Sequence, residues 1–106
     1  MIQEIDSTHY SDDDGNPTGG FATCKGLSIT WQDGPLGRGP NRAEPNGAFV
    51  ETVIVAAIDR LLYYQDTQFS CRENALALTK LQEALHWLES RTRAREERGV
   101  EGTHQL

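Results

Sequence analysis

Asn74, Arg91, Arg95 and the pair Tyr63-Tyr64 are the side chains of this sequence best suited to holding a small ligand. Arg91 and Arg95 stand four apart, a spacing that stacks two guanidinium groups one turn from each other on a helix. Paired guanidinium forks suit a pyrophosphate. The same cations, beside Glu89, Glu96 and Glu97, also read as plain solvation of a helix end. Asn74 falls at nearly the helical angle of Leu81, inside a leucine stripe, where a polar amide needs a partner. It reads either as a reader of a base edge or ribose, or as a register or cap asparagine. Tyr63 and Tyr64 offer an aromatic face close to that amide, which fits a slot for adenine or simple packing.

No catalytic constellation accompanies these groups, so an enzyme is not expected. His9, His86 and His104 are scattered, no pair of ligating residues has metal spacing, and Ser7, Ser11, Ser28, Ser70 and Ser90 have no evident base. Cys24 and Cys71 lie 47 residues apart with no C-x-x-C pair, as expected of reduced thiols in a cytosol. The run Asp12-Asp13-Asp14-Gly15 is not a calcium loop, since the pattern would put Tyr10 and Phe21 at oxygen-ligand positions. No catalytic residue, metal site or cofactor is expected.

The elements that must position the candidate residues follow from periodicity. Residues 1–20 read as a flexible acidic arm. Leu27, Ile29 and Trp31 alternate with Ser28, Thr30 and Gln32, the pattern of a half-buried strand, with Phe21 to Lys25 a weaker partner across Gly26. A loop rich in Gly and Pro follows up to residue 45 and carries Arg38 and Arg42, either of which is placed to fold over a ligand. Val50, Val53, Ile54, Ala57, Ile58, Leu61 and Tyr64 recur at helical spacing, predicting a helix from an Asn46 N-cap to about Tyr64. Ser70 and Glu73 form a capping-box pattern that predicts a second helix from Cys71 to Arg98, closed by Gly99. The short connection makes these two helices antiparallel neighbours. The expected fold is therefore α+β in a single domain, 1–106: the arm at 1–20, a small antiparallel β part and loop at 21–45, and a long helical hairpin with tail at 46–106.

Composition sets the limits. A formal charge of −6 disfavours nonspecific binding to DNA, RNA or an anionic membrane. Residues 1–37 carry −5 of that charge and residues 38–106 only −1, so the second half can hold local positive patches. Of 39 apolar residues, 24 fall between Ala48 and Leu88, more than two helices can cover for each other, so a homo-oligomer is expected. No membrane span or signal peptide is recognised, and a cytoplasmic protein is expected. Asn74 and Arg91 are 17 residues apart, about 26 Å along one helix. A small nucleotide meets both only if they belong to different subunits.

The stretch from Arg72 to Leu88, followed by Arg91, Arg95 and Gly99-Val100-Glu101-Gly102-Thr103-His104, resembles the helical hairpin domain of phage anti-Thoeris and anti-CBASS sponge proteins. The β-rich part ahead of the hairpin is closer to the anti-Thoeris branch. The resemblance implies a non-catalytic binder acting in the infected bacterial cytoplasm, a hexamer built from dimers, that buries glycocyclic ADP-ribose at subunit interfaces. It further implies an aromatic ring stacking the adenine at Tyr64, with Tyr63 or Phe69 as substitutes, Asn74 contacting the base, and Arg91 and Arg95 holding phosphate. Cyclic oligonucleotides are the alternative ligands, with Arg72 and Lys80 as their candidate contacts. A structural or adaptor hairpin without a small ligand is the alternative of another class.

Overall fold

A computed structural model describes all residues, 1–106. It contains an antiparallel three-stranded sheet in the order β1 (Asp6–Ser11), β2 (Pro17–Cys24), β3 (Leu27–Trp31), followed by two helices, α1 (Val50–Gln65) and α2 (Arg72–Glu97). This is the expected α+β arrangement. The chain divides into two compact units, residues 1–49 with 100–106, and residues 50–99. No helix is long and apolar enough to cross a membrane.

In the first unit, β3 keeps the expected alternation at Ile29 and Trp31, half-buried between exposed Ser28 and Thr30, whereas Leu27 at its start is exposed. Residues Phe21 to Cys24 pair with it, in register Phe21↔Thr30 and Cys24↔Leu27. The flexible arm is corrected: Asp6–Ser11 is a strand that pairs with β2, from Asp6↔Thr23 to Ser11↔Pro17. Its side chains are almost all exposed, so no apolar alternation marked it. What closes the hairpin is polar. The Asp12 carboxylate accepts from the Asp14 amide at 3.0 Å, the Asn16 amide at 2.9 Å and the Asn16 side chain at 3.1 Å. Across the strands, Gly20 stands so close to β1 that an added Cβ would lie 2.1 Å from the Thr8 carbonyl oxygen.

Asn46 is the second correction. It does not cap a helix, because its side chain is committed to the loop: Asn46 Oδ1 accepts from the Asp33 amide at 2.8 Å and Asn46 Nδ2 donates to the Asp33 carbonyl at 3.0 Å. Ala48 then pairs with Trp31 as a short parallel bridge, with hydrogen bonds to Thr30 and Gln32, and the helix begins only at Val50. Arg42 is not a lid over a ligand here. Both of its terminal nitrogens bond the Glu101 carboxylate, one of them at 2.7 Å. The Gly37 amide donates to the Gly102 carbonyl at 2.7 Å, and a Cβ on Gly102 would meet the Gly37 oxygen at 2.4 Å. The loop and the C-terminal residues are thus stitched together.

The second unit is a two-helix hairpin. Its seam has the three- and four-residue rhythm of a coiled coil: Glu51, Ile54, Ile58, Leu61 and Gln65 on α1 meet Asn74, Leu78, Leu81, Leu85, Leu88, Thr92 and Arg95 on α2, all at least half-buried. The capping box does not form. The helix starts one residue later than expected, with Cys71 in extended conformation as N-cap and no side-chain cap bond. Gln65 serves instead, its amide nitrogen donating to the Cys71 carbonyl and its oxygen accepting from the Cys71 amide, each at 3.0 Å. At the other end Arg98 is the C-cap, and Gly99 follows with φ +74°, as its place after the last turn requires.

Very little of this hairpin is buried. No residue of α1 is, and on α2 only Leu78 is. Val50, Val55 and Leu62 on α1, and Leu76 and Trp87 on α2, are large apolar side chains left open, Trp87 at 63 % exposure.

The Asp12 turn titrates. Hydrogen bonds from Asn16 lower the Asp12 pKa below its ordinary 3.8. A lowered carboxylate contributes stability in full above the unfolded value and loses it as pH falls through the native one. In an NMR titration the Asn16 and Asp14 amide shifts should therefore move together with a midpoint below 3.8. Asp12→Ala should abolish the movement at the Asn16 amide, which the Asp12 carboxylate bonds directly; its persistence there would contradict the turn.

Candidate functional site

All four candidate residues lie in the hairpin unit. Tyr64 occupies the last turn of α1 and Asn74 the first turn of α2, so both flank the tip at residues 66–71. Arg91 and Arg95 lie toward the open end of the hairpin, on the same uninterrupted helix as Asn74. At 1.5 Å per residue, Asn74 and Arg91 are about 26 Å apart. The structure therefore brings Tyr64 and Asn74 to one end and the arginine pair to the other, as the spacing predicted.

Helical geometry also decides which side they occupy. At about 100° per residue, with the seam as reference, one flank of the hairpin is lined by Val50, Val53, Ala57 and Tyr64 of α1 and by Ala77, Ala84, Arg91 and Arg95 of α2. Lys80 stands at the outer edge of this flank. The opposite flank carries Glu51, Val55 and Leu62, with Gln82, Glu89 and Arg93. Tyr63 points away from α2, so Tyr64 is the ring that shares a flank with the arginines. Phe69 lies in the tip and is 70 % exposed.

A shallow open depression is lined by Glu51, Glu89, Thr92 and Arg93, on the opposite flank. Two carboxylates against one guanidinium make it a poor seat for an anion. The Thr92 hydroxyl is already donated to the Leu88 carbonyl at 3.2 Å. The candidate anion site is therefore the positive flank, which in one hairpin is an open surface. Its alanines, Ala57, Ala77 and Ala84, leave room for another helix to approach closely.

Asn74 is half-buried in the seam beside Leu78, and its amide finds no hydrogen-bond partner within the chain. The amide stays within reach of solvent, and it interrupts the leucine seam without a bond in return. Arg91 is exposed and Arg95 half-buried at the seam edge.

One residue of this region escaped the sequence reading. The Arg60 guanidinium lies over both tyrosine rings, 5.0 Å from the Tyr63 centroid and 4.9 Å from that of Tyr64. The rings themselves are 5.9 Å apart and tilted by 52°. The guanidinium is a permanent cation in any case, and the Tyr64 hydroxyl beside it raises the Arg60 pKa further. Its spacing, three and four residues before two aromatics on one helix, was the signal available in the sequence.

The unpartnered amide yields a prediction. Asn74→Leu should raise the thermal midpoint of the hairpin, by a stabilisation of about 1 kcal/mol, because an apolar side chain completes the leucine seam. A fall in the midpoint would mean that the amide is satisfied in the folded protein without any ligand.

The hairpin has counterparts among known proteins. The model of the Acb2/Tad1 hairpin domain matches residues 28–93. A protein named Thoeris anti-defense 1, from Bacillus phage SBSphiJ7, is 58 % identical over 78 residues, covering 74 % of this chain and 52 % of that relative. The chain thus spans about half the length of the relative it matches. With the hairpin model covering more than half of its residues and this level of identity to a relative, the chain belongs to the Acb2/Tad1 family.

Proposed function

We propose that the protein is a non-catalytic anti-defence protein that sequesters a signalling nucleotide, glycocyclic ADP-ribose being the form that suits its residues best, in the cytoplasm of the infected cell. The carrying observation is that Asn74 and the arginine pair sit about 26 Å apart on one rigid helix. No small nucleotide spans that distance. If two hairpins pack antiparallel through their positive flanks, Tyr64 and Asn74 of one copy meet Arg91 and Arg95 of the other, and the site is made twice by one two-fold axis. The same packing covers the exposed Val50 and brings the alanines together. A hexamer built from such dimers would bury the remaining apolar flank.

Each residue then has a role set by its chemistry. The Tyr64 ring stacks on the base. The Asn74 amide, donor and acceptor at once, pairs with the base edge. The two guanidinium groups hold the pyrophosphate by charge-assisted bonds. Enclosure between subunits supplies the low dielectric that makes those bonds strong. The relative's name, Thoeris anti-defense 1, supports the same reading.

Native mass spectrometry of the protein mixed with cyclic ADP-ribose isomers, followed by heating and analysis of the released ligand, tests this. The proposal expects ligand bound to an oligomer in equal numbers of sites and subunits, and released intact. Release of a hydrolysed product would establish an enzyme instead. Arg91→Ala combined with Arg95→Ala should weaken binding by about 3 kcal/mol without dissolving the oligomer. Unchanged binding in that variant would remove the arginine pair from the site, and absence of binding by the wild type would favour a structural hairpin.

A further inference from the structure

We infer that Arg60 is the positioning residue of the nucleobase end of the site: it holds Tyr64 in a fixed orientation and turns its ring into a one-faced stacking platform. The inference rests on the binding reading above, but its geometry is independent of it. Arg60, Tyr63 and Tyr64 lie within little more than one turn of α1, so the guanidinium reaches both rings from positions three and four residues back. It sits 4.9 Å from the Tyr64 centroid and 5.0 Å from that of Tyr63, in the angle between two rings tilted by 52°.

Three consequences follow. First, one face of Tyr64 is covered by the guanidinium, so a base has only the opposite face to stack on. Second, a cation on one face draws π-density toward itself and weakens the repulsion between the other face and the electron-rich π-face of a purine. Third, an exposed aromatic in the last turn of a helix is free to change rotamer, and a contact shared with Tyr63 restricts it before any ligand arrives. The backbone beneath is held as well: the Tyr64 carbonyl accepts from the Thr67 hydroxyl at 2.6 Å and from the Thr67 amide at 3.1 Å. Arg60 therefore contributes to selecting a ligand with a purine, whereas Arg91 and Arg95 respond to phosphate alone.

The test uses the full-length protein, Arg60→Met, which keeps an unbranched stem without charge, and Arg60→Lys, which restores the cation. Cyclic ADP-ribose and inorganic pyrophosphate are the two probes, followed by calorimetry. Arg60→Met should weaken cyclic ADP-ribose by about threefold to fivefold, leave pyrophosphate unchanged, and be largely rescued by Arg60→Lys. Equal binding of cyclic ADP-ribose by wild type and Arg60→Met overturns the inference, and so does a parallel loss for pyrophosphate. A ligand-free readout separates this inference from the function it rests on. In NMR spectra the Arg60 side-chain resonances should be shifted upfield by the rings, lose part of that shift in Tyr64→Leu, and return to ordinary values when Tyr63→Leu is added. Failure of the wild type to bind either probe, with the upfield shift present, refutes the binding reading and leaves the Arg60–Tyr64 platform standing; absence of the shift refutes the platform.

Discussion

A two-helix hairpin cannot bury a helix that is apolar over more than half its circumference. In α1 the band runs from Val53 and Tyr64 on one side, through Ile54, Ile58 and Leu61 at the seam, to Val55 and Leu62 on the other. One partner helix covers the middle of that band and nothing else, which is why no residue of α1 is buried. Each large side chain taken out of water contributes about 1.5–3 kcal/mol. An isolated hairpin forgoes that contribution on both flanks.

The same deficit explains why a polar residue can stand in the seam. Asn74 would be a defect in a finished core, yet at the tip of an unfinished one it is an acceptor and donor waiting at an edge. Charge is arranged consistently with this. Arg91, Arg95 and Lys80 stand on the flank that carries Tyr64, with Glu73 at its tip end, while Glu51, Glu89 and Arg93 take the other. A chain of net −6 therefore repels polyanions at long range and still presents one local positive surface, short enough for a single small anion.

How much of this was legible in the sequence depended on the kind of interaction involved. Helical leucines and the alternation of Ile29 and Trp31 announce themselves because apolar burial has a period. The wheel placed Asn74 among the leucines for the same reason. Polar closure has no period. β1 is held by backbone pairing and by the Asp12 carboxylate, so its sequence looked like an arm. Asn46 and Ser70 have the composition of caps, but Asn46 was taken by Asp33, and it is Gln65, six residues before Cys71, that holds the helix start through the Cys71 backbone. Arg42 was equally ambiguous until its carboxylate partner, Glu101, 59 residues away, was in view. Arg60 differs, since its spacing to Tyr63 and Tyr64 is local and was open to reading from the start.

The central claim is that the two ends of the site come from different copies of the chain, and subunit mixing tests it most directly. One variant carries Tyr64→Ala and Asn74→Ala; the other carries Arg91→Ala and Arg95→Ala. The account predicts that neither binds cyclic ADP-ribose alone, and that equal mixing with reassembly restores about a quarter of the wild-type sites, because half the dimers are mixed and each of those holds one intact site. Binding that stays absent after confirmed mixing, or that survives in either variant alone, would contradict a site shared between subunits.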